Sequence, residues 1–164
     1  MIEISYTITG IEELERKLGT DGKRLLEAPM REFFDASLYE LEREVKKQLG
    51  QGKGWDTGNL AARIGEIHNI APESLPLWGR MGTIVSYAPY VEADTRPHWT
   101  SVKYLVDWAH RHNINPYALQ RKIARYGTKG VRMFERGLMS WVYTLKEGRL
   151  ASLARRIEDE YRKG

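Results

Sequence analysis

Nine residues in one stretch, Leu26, Met30, Phe33, Phe34, Ser37, Leu38, Leu41, Val45 and Leu49, recur at three- and four-residue spacing, while Glu27, Glu32, Glu40, Arg43 and Lys47 point elsewhere. This is the pattern of one long amphipathic helix of roughly six turns. A stripe of that length is stable in water only when covered, so any fold open to this chain is organised around it. Pro29 predicts that the regular part begins there, with proline in the first turn where its missing N–H costs little. Gly50-Gln51-Gly52-Lys53-Gly54 predicts the end of the helix and a glycine-rich loop.

The rest of the chain supplies what covers the stripe. Ile2-Glu3-Ile4-Ser5-Tyr6-Thr7-Ile8 alternates with period two and reads as a half-buried strand ended by Gly10. A short helix is expected at about 11–18. Mixed apolar and polar residues from Leu60 through Ile64, Ile67 and Ile70 read as a second strand, and Trp78, Met81 and Thr83-Ile84-Val85-Ser86-Tyr87 as a third, ended by Pro89. The two are expected to pair antiparallel. Val102, Leu105, Val106 and Ala109, then the turn Asn113-Ile114-Asn115-Pro116, then Leu119, Ile123 and Tyr126 predict a helix-turn-helix-like pair. Phe134, Leu138, Trp141, Val142 and Leu145 mark an apolar segment ending near Gly148, and Leu150, Leu153, Ala154, Ile157 and Tyr161 a final amphipathic helix. With 164 residues and no internal repeat, low-complexity stretch or dividing linker, the chain reads as a single domain, 1–164, with a helical insertion at about 100–126.

Composition removes several classes of function. There is no cysteine, so thiolate catalysis, disulfides, zinc ribbons and iron–sulfur clusters are excluded. No apolar run approaches the roughly 20 residues that cross a bilayer. Met1-Ile2-Glu3-Ile4 has neither the basic start nor the apolar core of a signal peptide, which predicts a chain that stays in the cytosol where it is made, with no membrane partner.

Motifs for chemistry are sparse. Asp56-Thr57-Gly58 is the triplet of aspartic proteases, in which two carboxylates share a proton, but here it follows a polar glycine loop and has no pseudo-repeat. It reads better as a turn in which the aspartate caps backbone donors and Gly58 takes an unusual dihedral. Among His68, His98, His110 and His112, the last two stand two residues apart and do not share a helix face, so no metal site is expected. No serine sits in a Gly-x-Ser-x-Gly elbow, and Gly50, Gly52 and Gly54 lack the Gly-Lys-Ser/Thr of a phosphate loop. No catalytic residue and no cofactor are expected.

Charge is unevenly placed. Residues 1–82 hold 11 Lys/Arg against 14 Asp/Glu, and residues 83–164 hold 15 against 8, so the overall +4 is a sum of −3 and +7. The basic residues are densest at Arg121, Lys122, Arg125, Lys129, Arg132 and Arg136, opposed only by Glu135. Either an acidic partner or a solvated face with acidic segments folded against it accounts for this. Trp99, Tyr104, Trp108, Tyr117 and Tyr126 interleave with Arg96, Lys103, Arg111, Arg121 and Arg125, a pattern of base-stacking surfaces, though large aromatics serve a core or an oligomer interface as readily. Within the helical pair, Gln120, Arg121, Lys122 and Arg125 would lie along a recognition helix, so a sequence-specific DNA-binding protein using residues 102–126 is the alternative function.

Three segments in fixed order carry a resemblance. They are Asp56-Thr57-Gly58-Asn59-Leu60, then Tyr87-Ala88-Pro89-Tyr90-Val91-Glu92, then Gly127-Thr128-Lys129 running into Met133-Phe134 and Gly137-Leu138. Together they resemble the tail-component family of long-tailed bacteriophages, whose members are head-to-tail joining or tail-completion proteins, over nearly the whole chain. The family's Gly-Thr after Val-Glu is replaced by Ala93-Asp94-Thr95, its equivalent turn falling at Gly127-Thr128 after the inserted helical pair. Its Arg-Pro-Phe is reduced to Arg132-Met133-Phe134.

The resemblance implies an α+β fold: a small antiparallel sheet packed against one long helix, with the inserted helical pair and a C-terminal helix. It also implies a non-enzymatic virion part at the head–tail junction or head-proximal tail end, forming a sixfold ring of copies that meets other neck or tail-tube proteins. Genome DNA would pass through without its sequence being read. Candidate interaction residues are Asp56, Thr57, Gly58, Tyr87, Tyr90, Glu92, Arg121, Arg125, Lys129 and Arg132, with loops 50–58 and 93–100 at subunit contacts. Opposite charges on the two halves of the chain would supply the unlike surfaces that a head-to-tail ring needs.

Overall fold

The computed structural model describes residues 1–9, 13, 16, 22–51, 56–71 and 77–163. Strand β1 (Ile2–Thr7) is followed by the long helix α1 (Gly22–Gln51), a short helix α2 (Asn59–Arg63), and strands β2 (Ile67–Ala71) and β3 (Trp78–Thr83). Next come a short helix α3 (Ala88–Glu92), a 3₁₀ turn (Val102–Tyr104), and helices α4 (Val106–Arg111), α5 (Pro116–Tyr126) and α6 (Met133–Thr144). One wide turn with i→i+5 geometry (Leu145–Arg149) leads from α6 into the last helix, α7 (Leu150–Lys163). The architecture is α+β, an antiparallel sheet of order β1-β3-β2 with α1 packed on it.

β3 is central, running from Ile2↔Thr83 to Thr7↔Trp78 on one side and from Ile67↔Gly82 to Ala71↔Trp78 on the other. Its Met81 and Thr83 are fully buried. In β1 the alternation is realised: Ile2, Ile4 and Tyr6 are half-buried, and Glu3, Ser5 and Thr7 exposed. Tyr6 stacks flat on Phe34, with centroids 4.9 Å apart and planes 4° apart, meets Trp141 at a tilt, and donates its hydroxyl to the Phe34 carbonyl at 3.2 Å. Burial pushes that hydroxyl well above the usual phenol range.

The expected stripe of α1 is the core. Leu26, Met30, Phe34, Leu38, Leu41, Val45 and Leu49 are all buried, while Phe33 is half-buried. The first part of the stripe meets Leu77 and Leu153, and the second meets α2, Met81, Met133, Phe134 and Trp141. Along α1 the partners of α6 and α7 run in reverse: Gly137 lies on Val45, Ser140 donates to Glu44 at 3.0 Å, Arg149 pairs with Glu40 and Arg156 with Glu32. The last two helices therefore lie antiparallel to α1.

Four expectations are corrected. The helix α1 starts at Gly22, so Pro29 sits inside it; the turn before Pro29 is held by Leu26, which is fully buried. Residues 60–63, expected to be strand, are helix α2, with Leu60 and Ile64 four residues apart and both buried. The third strand, expected from Trp78 to Tyr87, stops at Thr83, and Pro89 starts α3 instead of ending a strand. The apolar segment after Phe134 is helical and does not stop near Gly148; it continues through the wide turn into α7. The helix expected at 11–18 falls largely outside the described residues, as do residues 52–55 of the glycine loop.

Candidate functional site

The three segments singled out by order in the sequence converge on one junction. Residues 91–95 and 128–132 lie side by side: the Val131 N–H donates to the Val91 carbonyl at 2.7 Å, that of Arg132 to the Glu92 carbonyl at 3.1 Å, and that of Thr95 to the Thr128 carbonyl at 2.9 Å. The Thr95 and Thr128 hydroxyls meet at 2.9 Å, and the Gly130 N–H donates to Asp94 Oδ1 at 2.8 Å. Gly127 ends α5 with φ +70°, and a Cβ there would stand 2.0 Å from the Thr95 carbonyl oxygen, so only glycine closes this crossing.

Glu92 ties α3 to α6. Its two carboxylate oxygens accept the backbone N–H groups of Phe134 and Glu135, each at 3.0 Å. The residue at the N-cap position itself, Arg132, has φ +56° and offers no acceptor, so a carboxylate from another helix satisfies the open amides of α6. Asn59, at the start of α2, donates to the Tyr87 hydroxyl at 2.9 Å and brings the Asp56-Thr57-Gly58 turn to the same place. Thr57 and Gly58, the latter with φ +80°, shape that turn and line a cleft of about 220 Å³ together with Leu49, Leu60, Tyr87 and Trp108. Tyr87, Val91 and Trp108 are shared with a wider groove of about 590 Å³ between α3 and the insertion, whose lining also includes Tyr90, Arg96, Ile123 and Lys129.

The turn predicts that Asp56 caps backbone donors, but among the described residues its hydrogen bonds come from a side chain. It clamps the insertion: Arg111 donates to Asp56 through Nε at 2.8 Å and through its terminal nitrogen at 2.6 Å, and His112 Nε2 lies 3.4 Å away, stacked at 4.2 Å against Trp108. The paired guanidinium holds the Asp56 carboxyl below the usual carboxylate range. A protease dyad needs a second carboxylate sharing its proton, whereas the neighbours of Asp56 are a cation and an imidazole. Because the folded carboxyl titrates below its unfolded value of about 3.9, its contribution is present above that pH and is lost as pH falls through the folded value. In a carboxyl-carbon NMR titration, Asp56 is expected to titrate below pH 3.9, with α4 amide shifts following it. In Arg111→Gln the midpoint should return to the ordinary range, and equal midpoints in the two proteins would contradict the clamp.

The 3₁₀ turn, α4 and α5 pack chiefly on one another. On α5, Ile123 and Gln120 are buried, and the Gln120 amide donates to the Thr100 carbonyl at 2.8 Å. That removes the one residue of the candidate recognition set suited to reading an adenine edge. Arg121, Lys122 and Arg125 are exposed and make no ion pair among the described residues, as is true of Lys129 at the groove rim. Arg132 stands 3.8 Å from Asp94 and 3.7 Å from Glu135. The interleaved aromatics are not core: Trp99, Tyr104, Tyr117 and Tyr126 are 73%, 75%, 62% and 66% exposed, and only Trp108 is half-buried.

Five of the six acids of α1 are already partnered. Glu32 pairs with Arg156, Asp35 with His68 at 3.1 Å, Glu40 with Arg149, Glu42 with Lys46 at 2.6 Å and Glu44 with Lys47 at 3.6 Å. Partners come from both halves of the chain, Arg149 and Arg156 from the basic one, so α1 offers less acidic surface than charge counting predicts. Arg111 and Asn59, which the sequence shows only as members of longer patterns and not as candidate interaction residues, prove central because each bridges segments far apart in the chain.

Among the described residues, no three His, Asp or Glu side chains form a group able to hold a metal ion, and no helix is long and apolar enough to cross a membrane. No protein-family model matches the chain, and neither does any curated protein or solved structure.

Proposed function

We propose that this chain is a non-enzymatic assembly subunit of a long-tailed bacteriophage virion, acting at the head–tail junction or head-proximal tail end as one copy in a ring that joins or completes the tail. The observation carrying this reading is the convergence of the three resembling segments. Asn59 on Tyr87, Val91 on Val131 and Glu92 on Phe134 and Glu135 make one buried-to-exposed junction from residues up to 76 positions apart. Val91 and Glu92 pair with Val131 and Arg132, and Thr95 with Thr128, so the two ends of the insertion lie side by side and the chain on either side of it is brought together, in keeping with the resemblance.

Asn59, Glu92, Asp94, Thr95 and Thr128 are occupied in holding elements together, as suits a rigid building block. The exposed Tyr90 and Tyr87, on the rim of the 590 Å³ groove, are the side chains available to a neighbouring copy or another neck or tail-tube protein. Since α1 keeps five of its six acids paired, contacts in the ring rest on shape and apolar surface more than on opposite charges of the two halves. Quantitative mass spectrometry of purified particles tests the reading. A small fixed number of copies per particle is expected, and absence from particles, or copies in the hundreds, would sink it.

A further inference from the structure

Helix α5 presents one uninterrupted cationic face. Tyr117, Arg121 and Arg125 stand at four-residue intervals on it, with Lys122 and Tyr126 in the adjoining row, and all five are exposed. Successive members of a row are separated by about 6 Å along the helix axis. There is no Asp or Glu anywhere in Pro116–Tyr126, and none of the three cations has an ion-pair partner among the described residues. In the whole span 93–132, eight Lys/Arg stand against two Asp/Glu, and both acids lie outside α5.

The face is also rigid. The Asn115 side chain accepts the N–H groups of Tyr117 and Ala118 at 2.9 and 3.2 Å, and the hidden side is fixed by Ile123 and by the Gln120–Thr100 hydrogen bond. The His98 N–H reaches the Ile123 carbonyl at 3.4 Å, so Trp99, 73% exposed, stands between two ties to this helix. The Arg125 guanidinium lies 5.3 Å from the Tyr126 ring centroid.

We propose that this face of α5 binds the phosphodiester backbone of nucleic acid without reading sequence. Three unpaired cations at regular intervals match a repeating anion, and with Gln120 buried no amide remains there to discriminate base edges. The flanking tyrosines and Trp99 offer ring faces to sugars or unstacked bases. An acidic protein surface is the competing occupant. The inference stands on the surface of α5 alone and goes beyond the assembly reading, which it does not require.

The test is a fluorescence-anisotropy titration of the purified full chain against a labelled mixed-sequence DNA duplex and the corresponding single strand, across a series of salt concentrations. The variant Arg121→Glu/Lys122→Glu/Arg125→Glu is compared with a control of equal charge change, Arg43→Glu/Arg155→Glu/Arg162→Glu, all of whose sites are exposed. Circular dichroism verifies that each variant is folded, and Arg121→Gln/Lys122→Gln/Arg125→Gln replaces the first should it not be. Binding at low salt is expected, insensitive to sequence, with the α5 variant losing at least about tenfold in affinity and about three units of log–log salt slope relative to wild type, and the control losing far less.

Tighter binding of the duplex assigns the face to phosphates along a double helix, and tighter binding of the single strand adds base stacking on the tyrosines; both support the inference. No binding at low salt, or equal affinity of wild type and the α5 variant, overturns it, the first leaving an acidic protein surface as the occupant. A negative titration with the chain still counted in particles removes this inference alone, whereas a positive one with the chain absent from particles removes the assembly reading alone.

Discussion

Gly137→Leu is expected to lower the melting temperature by about 10 °C or more, corresponding to a loss of about 3 kcal/mol or more. At Gly137, α6 crosses α1 so closely that a Cβ would stand 2.7 Å from Val45 Cγ2, 2.9 Å from Val45 Cα and 3.0 Å from Val45 N. The first contact is a side-chain end that can rotate, but the other two are backbone, and relieving them means parting the two helices. Parting them would open the core around Met133, Phe134 and Trp141. Gly137→Ala gains up to about 1 kcal/mol of helix propensity and loses more to the clash, so a smaller net destabilisation is expected. Adding Val45→Ala removes only the Cγ2 contact, so a double-mutant cycle by thermal denaturation should show partial rescue. Full rescue, or no loss in Gly137→Leu, would contradict the close approach.

Removing the Glu92 carboxylate is the second large effect. Glu92→Ala leaves the Phe134 and Glu135 amides without their charge-assisted partners and takes an anion from the positive end of α6. A loss of about 2 kcal/mol is expected, or about 4–8 °C in melting temperature. Glu92→Gln keeps one neutral acceptor and should lose about half as much. Hydrogen exchange is expected to speed up first at 133–136, the open turn of α6, and only then in the core helices. Uniform loosening of the whole chain would mean that Glu92 acts through general stability and not as a cap.

These two residues illustrate which features are legible in a sequence. The stripe on α1, the alternation in β1 and the helix through Leu119, Ile123 and Tyr126 after the Asn113–Pro116 turn are local patterns, and each is realised, with Pro116 of that turn already the first residue of α5. Failures came where tertiary pairing overrides local preference. Thr83-Ile84-Val85 has strand-forming residues, yet the ladder with β1 stops at Ile2↔Thr83, and beyond it the Val85 N–H donates to the Thr83 hydroxyl at 3.3 Å. The part of the expected strand that does form contains Gly79 and Gly82, poor strand formers that are present because Tyr6, Phe34 and the backbone of Ile2 press against them. Pro29 costs its helix about 3 kcal/mol locally, which the burial of Leu26, Met30 and Phe34 around it offsets. At Gly148 the chain stays helical because Arg149 is held by Glu40 of α1, a contact that no window of sequence contains.

The candidate site was legible in its segments and not in its links. Order along the chain picked out Asp56 to Leu60, Tyr87 to Glu92 and Gly127 to Leu138. What joins them lies beyond any spacing rule: Asp56 to Arg111 spans 55 residues and Glu92 to Phe134 spans 42. Glu92, offered as an interaction residue, spends both oxygens inside the fold, and Asp56 is held by Arg111. Arg121, Arg125 and Lys129 remain open to a partner because no acid of the described chain reaches them.

Assembly at the head–tail junction, as proposed, is decided by inactivating the gene for this chain in the phage that the proposal takes to encode it and viewing the lysate by negative-stain electron microscopy. The account predicts filled heads and tails accumulating as separate or unfinished pieces, with whole particles restored by the intact gene supplied in trans and not by Gly137→Leu. Intact, infectious particles made in normal yield without the chain would contradict it.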